Sequence, residues 1–127
     1  MPIDATLPYD PSNIFARILR GEIPCQRLYE DDHALAFHDI SPQAPTHVLV
    51  IPKGAYVSWD DFSARGSDAE IAGFVRAVGE VARAAGLAAP GYRLLANTGP
   101  DGGQEVPHLH VHILAGRPLG PMLAPSR

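Results

Sequence analysis

Apolar and polar residues recur along the chain with two different periods, which predict two helices and five strands. The first helix should begin near Asp10-Pro11 and end at Gly21. Its apolar stripe consists of Ile14, Phe15, Ile18 and Leu19. The second helix should begin at a capping box formed by Ser67 and Glu70 and end at Gly86. Its apolar face consists of Ile71, Phe74, Val75, Val78, Val81 and Ala82.

Five further runs of residues are typical of strands. They are Gln26–Glu30, Ala34–His38, His47–Ile51, Tyr92–Ala96 and Leu109–Leu114. The order helix, three strands, helix, two strands predicts an α+β domain: an antiparallel sheet of about five strands with both helices packed on one side. Residues 1–9 carry two prolines and no periodicity. We therefore expect a flexible arm over residues 1–11 and a single domain over residues 12–127.

Charge and composition exclude several classes of function. A formal net charge of −4 over 127 residues argues against a broad surface for nucleic acid or for an anionic membrane. No run approaches the ~18 apolar residues of a membrane helix, and the N-terminus does not resemble a signal peptide. Cys25 is the only cysteine, so no internal disulfide can form. We expect a cytoplasmic protein.

The most informative segment is the last predicted strand, in which His108, His110 and His112 alternate with apolar residues. Strand side chains point alternately to opposite faces, so the three histidines share one face. The other face carries Leu109, Val111 and Ile113. The apolar row belongs in the core, and the histidine row should therefore face a cleft or solvent.

Such a histidine row has three possible explanations. A solvated strand face is disfavoured because histidine is a weak strand former. A zinc site is disfavoured because His108 and His112 would lie about 13 Å apart along a strand, too far to share one ion at ~2.1 Å. A third zinc ligand would have to come from His47 or Asp39. Nucleotidyl transfer is favoured, because neutral imidazole is a nucleophile whose phosphoramidate water can cleave. We expect no metal or other cofactor.

A glycine-rich loop, Asn97–Gln104, lies directly before the histidines. Glycines allow backbone N–H groups to turn toward an anion with no side chain in the way. Such loops usually only connect strands, so the loop alone indicates little. Beside three histidines it predicts a cradle for phosphoryl oxygens.

These residues resemble the histidine triad (HIT) family, whose signature is His-φ-His-φ-His-φ-φ, and in particular its Hint-like branch. The similarity runs from about residue 12 to 120. It rests on the triad and on Asn13-Ile14-Phe15, Gly21–Pro24, Ala36–His47, Val50–Lys53, Asp101–Gln104 and Ala115–Pro118. The resemblance implies a HIT-like fold that forms a homodimer through the second predicted helix and a shared sheet edge, with one sheet continuing across both subunits.

The resemblance also implies an activity: hydrolysis of purine nucleoside phosphoramidates and of lysyl- or other acyl-adenylates to AMP. It implies that His110 is the nucleophile that becomes adenylylated and that His112 contacts the phosphoryl oxygens. His108 and His47 would hold the ring orientations and the proton relay, and Asp39 would bind the ribose hydroxyls. The base would lie among Ile14, Phe15, Ile18, Phe37, His38 and Ile40. The phosphate and leaving group would lie beside Asn97, Gly103, Gln104, Glu105 and Val106.

Several of these residues also have plainer explanations. Ile14, Phe15, Ile18 and Phe37 could simply be core residues. Asp39, ahead of Ser41-Pro42, could be only a turn former. Two positions depart from the family pattern: Glu105 stands where some members have a serine near the leaving group, and Pro107 replaces the aromatic residue that usually precedes the triad. Alternative functions are a dinucleoside polyphosphate hydrolase and a nucleotide-binding regulatory protein with little turnover.

Overall fold

The computed structural model describes residues 2–124, which contain one antiparallel sheet of five strands and four helices. The strands are β1 (Arg27–Glu30), β2 (Ala34–His38), β3 (Thr46–Pro52), β4 (Arg93–Leu95) and β5 (Val111–Ala115). The helices are α1 (Ile14–Leu19), α2 (Trp59–Arg65), α3 (Asp68–Ala84) and α4 (Gly99–Gly102). Strands lie in the order β1-β2-β3-β5-β4, so β1 and β4 form the two edges. The α+β fold with a five-stranded antiparallel sheet is confirmed.

The first helix begins later than its sequence suggests. Asn13, not Asp10, is the N-cap of α1, and its side chain accepts a hydrogen bond from the Ala16 N–H at 2.9 Å. Asp10 instead accepts from the Ser12 N–H at 2.9 Å, which forms a turn ahead of the helix. Gly21 follows the helix with a φ of 79°, a left-handed conformation that glycine adopts without strain.

The long helix α3 has the predicted capping box. Ser67 Oγ accepts from the Glu70 N–H at 3.1 Å, and Glu70 Oε1 accepts from the Ser67 N–H at 3.0 Å. Gly86 follows the helix with a φ of 73°. The predicted apolar face is wrong at Val75, which is 55% exposed because it lies beside the buried stripe and not within it. The buried stripe consists of Phe74, Ala77, Val78, Val81 and Ala82.

Helices α2 and α4 have no counterpart among the elements predicted from the sequence. In α2 the only buried residue is Phe62, so seven residues provide too little apolar periodicity to detect. The helix is nevertheless capped by Ser58, which accepts from the Asp61 N–H at 3.3 Å. The single turn α4 has the sequence Gly-Pro-Asp-Gly, whose composition is typical of a loop.

The central strands are buried on both faces, because β2 and β3 are almost continuously apolar. Their first row of side chains packs under α3 and consists of Ala34, Ala36, Val48 and Val50. Their second row packs under α1 and consists of Leu35, Phe37, Leu49 and Ile51. The expectation that both helices lie on one side of the sheet is therefore wrong. Because β2 and β3 carry apolar side chains on both faces, each face of the sheet is covered by one of the two helices.

The histidine segment enters the sheet beside β3. Val111 and Ile113 of β5 belong to the core under α3, as predicted. His112 is paired with Leu49 of β3, so its side chain lies on the face that α1 covers. Residues 108–110 precede the strand and are not part of it. Tertiary structure thus places all three histidines near α1.

Residues of the N-terminal arm contact this region at two points. The Ile3 N–H donates to the Gln104 carbonyl oxygen at 2.8 Å, and the Tyr9 hydroxyl lies 2.7 Å from His108 Nδ1. Sequence periodicity did not indicate either contact. Within residues 2–124, no helix has both the length and the apolar character needed to cross a membrane.

Candidate active site

Four histidines meet on the face of the sheet that α1 covers: His47 at the start of β3, and His108, His110 and His112. The predicted division of the last strand is confirmed for its apolar row, which is buried under α3. The histidine row does not face open solvent, however. His108 is fully buried, His110 is 8% exposed and His112 is partly buried.

The ring of His110 has a defined hydrogen-bonding partner. Its Nδ1 lies 2.8 Å from the His108 carbonyl oxygen. A carbonyl can only accept, so Nδ1 carries the proton and Nε2 of the neutral ring keeps its lone pair. Burial lowers the pKa of His110, which favours this neutral form at physiological pH. His110 is thus a neutral imidazole with a free nucleophilic nitrogen.

Both ring nitrogens of His108 are occupied by protein groups. Nε2 lies 2.9 Å from the Pro52 carbonyl oxygen and must therefore donate to it. Nδ1 is left to accept from the Tyr9 hydroxyl at 2.7 Å. Burial lowers the pKa of His108 to about 4, so the ring is neutral at physiological pH. His108 therefore offers no free ring nitrogen to a ligand.

His47 and His112 form a second pair. The Gln43 N–H donates to His47 Nδ1 at 3.1 Å, so the neutral His47 ring carries its proton on Nε2. His47 Nε2–H therefore donates a hydrogen bond to His112 Nδ1 at 2.8 Å. His112 consequently carries its own proton on Nε2, as a donor for a ligand. The pKa of His112 is lowered to about 4, mainly by burial and additionally by the nearby His110 and His47.

Asp39 makes a turn and also contacts the histidines. Its Oδ1 accepts from the Ser41 N–H at 2.7 Å, the turn bond that its sequence position suggests. Its Oδ2 lies 3.4 Å from His47 Nε2. Donor atoms of Asp39, His47 and His112 all lie within 4.8 Å of one another, a set that could hold a cation. Metal binding would have to displace the proton that His47 and His112 share.

The residues predicted to surround a base divide into two groups. Phe15, Ile18 and Phe37 are buried core residues. The Phe15 ring packs edge-on against the His110 ring at 5.0 Å and against the Phe37 ring at 5.7 Å. Ile14, His38 and Ile40 are exposed, Ile40 by 95%. The buried group forms the wall behind His110, and a ligand can reach only the exposed group directly.

Gln104 is fully used inside the protein. Its side chain accepts from the Gly99 N–H at 3.1 Å and donates to the carbonyl oxygens of Val57 and Val106 at 2.7 and 3.1 Å. Because it is 1% exposed, the expectation that Gln104 itself lines the phosphate side is not supported. It holds the glycine-rich loop in shape instead. Gly103 and Glu105 are exposed, and Asn97 and Val106 are partly buried.

Sequence reasoning missed Tyr9, the Gln43 N–H and the Pro52 carbonyl, which together assign the protons of His108 and His47. The two backbone groups carry no residue signature, so no motif could have revealed them. Tyr9 lies 99 positions from His108, in a segment without periodicity.

The chain is similar to known proteins of one family. The HIT domain family model matches residues 20–119. The chain is 73% identical over 115 residues to an uncharacterised 13.2 kDa HIT-like protein of Azospirillum brasilense, covering 91% of this chain and 94% of that one. It is 50% identical over 111 residues to the purine nucleoside phosphoramidase of Escherichia coli K12, covering 87% and 92%.

A solved structure has the same fold. The HIT family hydrolase of Legionella pneumophila superposes with a TM-score of 0.76 at 42% identity, covering 84% of this chain and 95% of that chain. The chain therefore belongs to the HIT domain family, and the proteins similar to it include hydrolases.

Proposed function

We propose that this protein is a cytoplasmic hydrolase that cleaves purine nucleoside phosphoramidates and acyl- or lysyl-adenylates to AMP through a nucleotidyl-His110 intermediate. The observation that carries the proposal is the 2.8 Å hydrogen bond from His110 Nδ1–H to the His108 carbonyl, which leaves Nε2 unprotonated. The 50% identity to the E. coli phosphoramidase supports the substrate class.

In the first step His110 Nε2 attacks the α-phosphorus, and the bond from phosphorus to the leaving nitrogen or oxygen breaks. The leaving group takes the bonding electrons; an amine also takes one proton from water, whereas a carboxylate leaves without it. The positive charge that develops on the His110 ring is stabilised by the His108 carbonyl at Nδ1–H. His112 Nε2–H is the donor for a phosphoryl oxygen.

In the second step water attacks the phosphorus of nucleotidyl-His110, and the phosphorus–nitrogen bond breaks. The electron pair returns to Nε2, and the proton lost by water goes to solvent. For an amine leaving group the two steps take up and release one proton each, so AMP and the free amine are the only products. His47 holds the His112 ring through the 2.8 Å bond during both steps.

The nucleoside would lie at the exposed end of the site. Asp39 Oδ2 is the group available to accept from the ribose hydroxyls, since Oδ1 already holds the Ser41 N–H. The base would contact Ile14, His38 and Ile40, with Phe15 and the core behind them. Gly103 and Glu105, both exposed, would border the leaving group.

Replacing the nucleophile tests the proposal directly. His110→Ala should lower kcat for an AMP-amide by ~10³-fold or more, because the lone-pair nitrogens of His47, His108 and His112 already accept hydrogen bonds from protein groups. AMP binding should persist, and rapid quenching of the wild type with labelled substrate should leave label on His110. A His110→Ala enzyme that kept a tenth of the wild-type kcat would contradict covalent catalysis.

The matched control is His33→Ala. The His33 ring lies against Gly73 of α3, away from the triad, so its loss should leave kcat unchanged.

The wild type and His33→Ala should both keep their rates in EDTA, because His47 Nε2 and His112 Nδ1 are already paired with each other. Loss of activity in EDTA that zinc alone restored would instead indicate a metal centre at Asp39, His47 and His112.

The pH dependence of kcat/KM follows from the lowered histidine pKa values. A histidine with a lowered pKa is half protonated only below pH 6.5, so kcat/KM should stay above half of its plateau value down to that pH. It should fall further as the pH drops through the lowered pKa of His110. Hydrolysis is measured at each pH with the uncatalysed rate subtracted. An acid limb centred at or above 6.5 would contradict a buried, neutral nucleophile.

Asp39 should set the preference for ribonucleotides over deoxyribonucleotides. A charged hydrogen bond is worth roughly 1.5–3 kcal/mol, so loss of the 2′-hydroxyl should cost about ten- to a hundredfold in kcat/KM. In Asp39→Ala this ratio should fall toward unity. Asp39→Asn keeps an oxygen for the Ser41 N–H, so it should lower the ratio without lowering the melting temperature. A reduced melting temperature with an unchanged ratio in Asp39→Ala would make Asp39 a turn residue only.

A second surface supports a homodimer. A groove of about 690 Å³ lies between α3 and the edge strand β4, on the face opposite the histidines. Its exposed apolar residues are Trp59, Val75, Tyr92, Leu94 and Leu95. An exposed apolar patch beside an open sheet edge is typical of an interface. The occupant that fits both features is a second copy, whose β4 would pair antiparallel with this one and continue the sheet.

The dimer can be tested with two equally exposed leucines on opposite edges of the sheet. Leu94 on β4 and Leu28 on β1 are each 47% exposed. By sedimentation velocity the wild type and Leu28→Glu should have twice the mass of one chain, whereas Leu94→Glu should be monomeric, because it buries a charge in the interface. A monomeric wild type, or dissociation by Leu28→Glu alone, would contradict an interface at β4.

A further inference from the structure

The hydroxyl of Tyr9 reaches into the site from the N-terminal arm. It lies 2.7 Å from His108 Nδ1, and the two rings pack edge to face at 5.6 Å between centroids. Six residues earlier, the Ile3 N–H donates to the carbonyl oxygen of Gln104 at 2.8 Å. The arm therefore contacts both the first histidine and the residue that shapes the glycine-rich loop.

His108 needs a donor at this position. Its Nε2–H donates to the Pro52 carbonyl, so Nδ1 of the neutral ring can only accept. The ring is fully buried, which means that water cannot easily replace a missing partner. Burial also raises the pKa of Tyr9, so its hydroxyl remains protonated and able to donate at physiological pH. The Tyr9 hydroxyl can therefore donate the hydrogen bond that His108 Nδ1 can only accept, and the two atoms lie 2.7 Å apart.

The state of His108 matters because its own carbonyl holds the nucleophile. His110 Nδ1–H donates to that carbonyl at 2.8 Å. With both ring nitrogens of His108 bound, one by Pro52 and one by Tyr9, the ring is anchored at two points. Movement of the His108 ring would move the carbonyl, and with it the direction of the His110 lone pair.

We propose that Tyr9 is a positioning residue: its hydroxyl holds His108 in the Nε2–H tautomer and thereby fixes the carbonyl that orients His110. The effect on His108 is independent of the reaction catalysed, whereas the effect on turnover rests on the proposed function. Tyr9 acts through His108 and does not touch the substrate.

The test is Tyr9→Phe, which removes only the hydroxyl and keeps the ring that packs on His108. Its matched control is Tyr29→Phe, since the Tyr29 hydroxyl also donates to a side chain, Asp31 at 2.7 Å, and Tyr29 packs on the α3 side of the sheet. With an AMP-amide, Tyr9→Phe should lower kcat about three- to tenfold with little change in KM. Tyr29→Phe should change neither. An unchanged kcat, or a raised KM alone, would overturn the proposal.

A readout independent of hydrolysis is the ¹⁵N spectrum of the histidine rings. In the wild type, His108 should show one protonated and one unprotonated nitrogen, with no proton uptake until the pH approaches about 4. In Tyr9→Phe the lone pair of Nδ1 loses its hydrogen bond from Tyr9, so it should take up a proton at higher pH. An unchanged His108 titration would overturn the proposal even if kcat fell. A changed titration in an enzyme inactive toward phosphoramidates would support the role of Tyr9 and contradict the proposed function.

Discussion

The hydrogen bond between His110 Nδ1–H and the His108 carbonyl is the constraint on which the site depends. It can form because β5 begins only at Val111, so the His108 carbonyl is not part of a strand ladder. Pro52 explains why the ladder stops there: continued pairing of β3 with the histidine segment would need an N–H that proline lacks. The carbonyl of the same proline accepts from His108 Nε2. One residue thus ends the pairing of β3 with β5 and anchors the first histidine.

Backbone groups assign the protons of the histidines. The carbonyls of His108 and Pro52 and the N–H of Gln43 each fix which nitrogen of a neighbouring ring is protonated. Burial lowers the pKa of all three triad histidines, so the rings are neutral and each tautomer is defined. A neutral ring with one nitrogen held by a carbonyl is what a nucleophilic histidine needs, and here the main chain provides it.

The core places these groups through a difference in side-chain size. On β2 the small Ala34 and Ala36 face α3, whereas Leu35 and Phe37 face α1. The long helix can therefore lie close to one side of the sheet. On the other side, α1 brings Phe15 against the ring of His110. The apolar wall of the site is thus continuous with the smaller of the two cores, and the groove proposed as a dimer interface lies on the opposite face.

The five strands, the capping box of Ser67 and Glu70, and the burial of Val111 and Ile113 were predictable from the sequence, because each follows from local periodicity or spacing. Tertiary packing set the face that α1 covers, since both rows of β2 are apolar and either could have been buried under either helix. It also brought His108 and His110, which precede β5, to that face. The same packing decided that Gln104 is buried, that Asp39 Oδ2 lies 3.4 Å from His47 Nε2, and that Tyr9 meets His108. These contacts join residues distant in the chain or use backbone groups, and neither leaves a periodic signal.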